Sequence, residues 1–85
     1  MVRRLPVLDS VTRDGETAVM VRKRVILLSP LASAAWGFIE DTADIDAVTE
    51  ALVAEFGAPT GIDPMEATLA VLNELSGEGL VALDD

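Results

Sequence analysis

The chain has 85 residues, neither cysteine nor histidine, and a formal net charge of −9. A chain of that length makes one small domain, residues 1–85, that buries only about 60–65% of its unfolded surface, so little apolar area can stay open without purpose. The missing residue types remove the commonest general base, the thiolate nucleophile and the commonest metal ligands.

The apolar fraction of 51% is too high for a disordered chain. No run of about 18 apolar residues exists to cross a membrane. Arg3 and Arg4 are followed by no apolar segment of the signal-peptide kind. The expectation is a soluble cytoplasmic protein with no cofactor and no metal, and not an enzyme.

Charge is divided along the chain. All six basic residues (Arg3, Arg4, Arg13, Arg22, Lys23, Arg24) fall in the first 24 positions, where only Asp9, Asp14 and Glu16 oppose them. Residues 25–85 carry twelve acids and no base. Such a field favours solubility, and it also steers a positively charged partner toward the second half.

In chain order, residues 5–13 read as a first strand, with Pro6 suited to an edge or a strand start because it cannot donate to a ladder. Asp14-Gly15 is a two-residue hairpin signal, since both positions take positive φ readily. Residues 16–21 make the second strand. Arg22-Lys23 is the next turn, and residues 24–29 the third strand. Val25, Ile26, Leu27 and Leu28 are all apolar. Side chains alternate along a strand, so Val25 and Leu27 share one face and Ile26 and Leu28 the other. One pair packs under the helices, and the sequence leaves open which. Three sequential strands form a meander whose third strand lies at the edge.

Three helices follow, over about 30–40, 45–56 and 64–76. Ser29 caps the first, with Pro30 at its first position. Gly37 inside it costs about 1 kcal/mol against alanine and points to close packing there. Asp44 is placed to cap the second, where Ile45, Val48, Leu52 and Phe56 form one stripe that Gly57 ends. Asp63-Pro64-Met65-Glu66 opens the third with a cap, a proline and an acid in capping-box position. On that helix Met65, Thr68, Leu69, Leu72 and Leu75 cover one broad side. Val71 lies at its flank beside Ala67, Glu74 and Glu78, which suits either a groove wall or the edge of a core stripe. Gly77 and Gly79 end the helix, and Leu80–Leu83 is a short apolar tail that can dock as a strand.

The serines have no activating partner in view. The acidic pairs Glu40-Asp41 and Asp44/Asp46 read as solvated charges at helix ends. No phosphate-cradling glycine loop is present. A meander beside three helices fits a winged-helix DNA binder, yet residues 64–76, the recognition helix of that reading, hold no Lys or Arg to meet phosphates. A structural subunit whose third strand is covered by a partner is a further alternative. An open apolar edge strand is also a template for an added peptide strand.

Several stretches resemble the PqqD-like family of RiPP precursor-peptide recognition elements. They are the hairpin Asp14-Gly15-Glu16 with its following strand, the strand-to-helix Leu28-Ser29-Pro30-Leu31-Ala32 leading to Trp36-Gly37, the helix Val48–Gly57, and the closing Leu72-Asn73-Glu74-Leu75-Ser76-Gly77-Glu78-Gly79-Leu80-Val81. The likeness spans roughly residues 7–81. It implies an α+β, winged-helix-like fold: a three-stranded antiparallel sheet followed by a three-helix bundle. It implies a peptide chaperone of natural product biosynthesis. Such a domain binds the leader of a ribosomally made precursor peptide, as a strand added beside the third strand and third helix. It then presents the peptide to a modifying enzyme or leader protease, such as a lasso-peptide protease or cyclase or a radical-SAM enzyme. No nucleic acid, membrane or cofactor takes part. By position, the resemblance puts the peptide against Arg24, Val25, Ile26, Leu27 and Leu28 on the strand. On the helix it puts the peptide against Ala67, Val71, Glu74, Leu75 and Glu78.

Overall fold

The computed structural model describes residues 1–83, an α+β chain with two three-stranded antiparallel sheets and three helices. The elements are β1 (Val2–Arg4), β2 (Asp9–Arg13), β3 (Glu16–Val21), β4 (Arg24–Leu28), α1 (Pro30–Phe38), β5 (Thr42–Ala43), α2 (Ile45–Phe56), α3 (Pro64–Gly77) and β6 (Val81–Leu83). The larger sheet is the meander β2-β3-β4, and β4 lies at its edge. Asp14 (φ 54°) and Gly15 (φ 80°) make the first turn with left-handed backbone, as the Asp-Gly pair requires.

The single sheet expected from sequence is a correction. A second, small sheet of order β5-β1-β6 gathers the N-terminus, the α1–α2 connection and the chain after α3. Val2 pairs with both Ala43 and Leu83 and is wholly buried. The first strand of the meander starts at Asp9, not at residue 5. Residues 5–8 cross between the sheets, with the Leu5 amide donating to the Leu80 carbonyl (3.0 Å) and the Leu8 amide to the Met20 carbonyl (2.9 Å). Pro6, which has no N–H to give, stands between those two bonds.

The helices start where their caps place them. The Ser29 hydroxyl accepts from the Ala32 amide at 3.2 Å, and the Asp63 carboxylate accepts from the Met65 amide at 2.8 Å. Asp44 precedes α2 without making a side-chain cap bond. Gly57 ends α2 at φ 82°. The helix α1 stops at Phe38, two residues sooner than expected.

One core joins both sheets and all three helices. Val19, Ile26 and Leu28 of the meander meet Ala32, Ala35 and Trp36 of α1, Val48 and Leu52 of α2, and Leu72 and Leu75 of α3. Val2, Leu80 and Val81 close it from the small sheet. Arg4 lays its guanidinium over the Trp36 ring, 3.5 Å from the centroid, which covers the indole with a cation–π contact. Burial lowers the Arg4 pKa from its ordinary value, and the nearby Glu40 carboxylate acts the other way. The stripe on α3 is rotated from the expected one: Val71 joins Thr68, Leu72 and Leu75 inside, while Met65 is exposed.

Because Val2 is enclosed by two strand partners, Val2→Ala should cost about 2 kcal/mol through lost transfer energy and a residual cavity. Urea denaturation measures this. A change within experimental error would mean that β1 adds nothing to the fold.

Candidate functional site

The site is built on the alternation in β4. Ile26 and Leu28 are 7% and 6% exposed, while Val25 and Leu27 are 59% and 80% exposed. The inner pair therefore forms core, and the outer pair stands on the open face of the meander. There Leu27 continues a row with Ala18 and Val11, and Val25 lies opposite Met20.

The main chain of β4 alternates as well. Val21 and Arg24 flank a two-residue turn and are paired, and residues so placed exchange hydrogen bonds across the ladder. Arg24, Ile26 and Leu28 thus bond inward to β3. The N–H and C=O groups of Val25 and Leu27 point the other way, to an edge that carries no strand among the described residues. The bond from the Leu8 amide to the Met20 carbonyl shows that Met20 faces β2, as this alternation demands.

Beside that edge runs a groove of about 640 Å³. One wall is Arg24–Leu28 with Ser29. Ala32 of α1 lies at its floor, and the far wall is the end of α3: Glu74, Leu75, Gly77 and Glu78. Leu75 is buried, so its contribution is an apolar surface rather than a mobile side chain. Arg24, on the inner face, reaches across the groove end. Its guanidinium donates to the Glu78 carboxylate at 3.0 Å and to the Glu78 carbonyl oxygen at 3.4 Å. Both side chains are about half exposed, so the pair adds no more than about 1 kcal/mol to stability. Glu74 lines the same groove with no ion pair among the described residues.

Eight of the ten residues singled out by the resemblance line this groove: the five of β4, with Glu74, Leu75 and Glu78. Two do not. Val71 is in the core at 8% exposure, so the core-edge alternative holds for it. Ala67 faces a separate apolar recess of about 210 Å³ between α2 and α3, with Leu52, Phe56 and Pro64. Ser29, Ala32 and Gly77 line the groove and were not foreseen. Their signal is small size: short residues where a strand wall meets two helices leave room for an occupant.

Among the described residues there is no cluster of acids able to hold a metal ion, and no helix long and apolar enough to cross a membrane. No family model matches the chain, and no curated protein or solved structure matches it significantly.

Two substitutions separate groove from core. Leu27→Asp changes an exposed side chain and should leave stability within about 0.5 kcal/mol. Val71→Glu buries an unpaired carboxylate and should cost several kcal/mol or unfold the chain. Thermal denaturation by circular dichroism reads both; equal effects would contradict this division of the two faces.

Proposed function

We propose that the protein binds an extended peptide as a strand added to β4, with alternate peptide side chains seated in the groove beside α3. The observation that carries this reading is the open edge of β4. Two residues, Val25 and Leu27, offer unpaired main-chain donors and acceptors directly beside a concave, partly apolar wall. Strand addition uses those two features together: main-chain bonds for affinity and alternate pockets for specificity.

The particular reading is a PqqD-like recognition element that takes the leader of a ribosomally synthesised precursor peptide. It delivers that peptide to a modifying enzyme or leader protease, of the lasso-peptide or radical-SAM kind. Three kinds of feature support it: the strand-to-helix segment around Ser29-Pro30, the closing Leu-x-x-x-Gly-Leu-Val of residues 75–81, and a three-stranded meander followed in the chain by three helices. The charge pattern adds a preference. Glu78 is held by Arg24, so Glu74 is the carboxylate left for a leader lysine or arginine. The same acids argue against a DNA duplex on this face, where phosphates would meet Glu74 and no basic side chain of α3.

Leu27→Pro tests the main-chain part. Proline removes one outward N–H and is tolerated on an edge strand. Where a short precursor peptide is encoded beside this protein, fluorescence anisotropy with its labelled leader should show binding by the wild type. For Leu27→Pro the affinity should fall by about tenfold or more, the loss of roughly one main-chain bond with its alignment, while the circular dichroism spectrum is kept. Undiminished affinity would contradict strand addition. The association rate should also fall as salt rises, because the acidic half steers a basic segment.

A further inference from the structure

We propose that the β2 side of α1 is a second docking site, for an extended segment of a partner that carries an acidic side chain. The helix α1 packs on β3 and β4 and leaves the inner face of β2 uncovered. Ser10 and Thr12 stand on that face, in register with Val19 and Thr17. Below them lies a pocket of about 520 Å³, on the opposite side of α1 from the groove beside β4.

Three features distinguish this pocket, and the first of them calls for a ligand. Two N–H donors in its lining residues, Trp36 Nε1 and Arg4 Nε, are buried and have no hydrogen-bond partner. Trp36 is only 4% exposed, and a buried donor without a partner is costly to keep. Next, the hydroxyls of Thr12, Thr17 and Ser33 form a chain from the open rim to the interior. Thr12 and Thr17 are 2.9 Å apart, and Thr17 in turn meets Ser33. Finally, Gly37 lies in the lining with no steric reason to be glycine, because a Cβ built there meets nothing within 4 Å. The close packing that a glycine inside a helix suggests is therefore absent. A bare helix surface is what a close-approaching ligand uses.

The chemistry is donor-rich. A guanidinium, an indole N–H and hydroxyls together suit a carboxylate, which a guanidinium fork binds through two parallel bonds. Glu40 lies near Arg4 but makes no ion pair with it among the described residues, so the fork stays open to a second carboxylate. Glu55 sits on the α2 side of the pocket, so the carboxylate belongs at the Arg4 side, and a basic neighbour in the same segment would suit Glu55. The edge of β2 favours a strand as the carrier. Arg13 and Glu16 flank the Asp14-Gly15 turn and pair inward, so the main-chain groups of Ser10 and Thr12 face an open edge. There the Ser10 amide donates to the Asp9 carboxylate at 2.8 Å, and the Thr12 groups and the Ser10 carbonyl are left for an added strand. A segment bonded there lies directly over the pocket and can lower one side chain into it.

The sole tryptophan gives a direct readout, since the chain has a single indole N–H resonance. The full chain, labelled with nitrogen-15, is titrated with the peptide acetyl-Thr-Val-Glu-Val-Thr-amide, with its Glu→Gln counterpart, and with inorganic phosphate. The acidic peptide should shift the Trp36 indole, the Arg4 Nε–H and the Ser10 and Thr12 amides with one saturation curve. The glutamine peptide should bind about tenfold more weakly, because it lacks the charge-assisted pair. Gly37→Leu, which fills the open helix face at an exposed position, should remove the response while its amide spectrum stays folded. Equal binding of the two peptides overturns the proposal, as does an unchanged response in Gly37→Leu. Phosphate that gives the same shifts at the same affinity also overturns it, because the site would then hold a free anion rather than a partner's side chain.

Discussion

Everything in this small protein depends on which alternate residues of β4 turn inward. Ile26 and Leu28 are held under the helices by the shared core, and a slip of one residue would exchange them for Val25 and Leu27. The strand cannot slip freely, because its two ends are fixed. At one end the two-residue turn Arg22-Lys23 sets the pairing of Arg24 with Val21. At the other, the Ser29 hydroxyl caps α1 one residue after the strand ends. Core packing thereby decides the side-chain faces, and the same register decides which main-chain groups face the open edge.

The two halves of the charge distribution meet at the groove. The basic first segment ends in β4, and the acidic second segment supplies α3. Arg24 and Glu78 join them by an exposed ion pair that spans the groove end and adds little to stability. The small sheet makes a comparable tie elsewhere. Through β1 it brings the N-terminal segment, the α1–α2 connection and the chain after α3 into one ladder, so α3 is held in place at its C-terminal end, where the groove lies. The helix α1 then divides the inner face of the meander into two unequal sides. The β4 side is walled by α3 and partly apolar; the β2 side has no helix over the strand and is lined by hydroxyls, Arg4 and Trp36.

Much of this was legible where the signal is local. Asp14-Gly15, Ser29-Pro30, Asp63-Pro64 and Gly57 mark turns and helix ends through backbone preferences that need no tertiary partner. The start of β2 and the whole of β1 were not legible. Val2-Arg3-Arg4 is too short to show alternation, and its partners lie about 40 and 80 residues away in sequence, beyond any periodicity signal. In β4 every residue after Arg24 is apolar, so pattern alone could not choose a face. On α3 the same ambiguity hid Val71 in the core, since a residue at the flank of a stripe is assigned only by the helix packed against it. The pocket beneath β2 had no sequence signal except Gly37, and that signal suggested close packing where the structure has open space.

Hydrogen exchange at single amides of β4 tests the account most directly. In the free protein the Arg24, Ile26 and Leu28 amides should be protected by β3, while those of Val25 and Leu27 exchange freely. If the proposed strand addition holds, saturation with a bound leader peptide should bring Val25 and Leu27 to the protection of their neighbours, because each gains a main-chain partner. A leader that binds tightly while both amides continue to exchange at the free rate would contradict strand addition, and with it the role assigned to this edge.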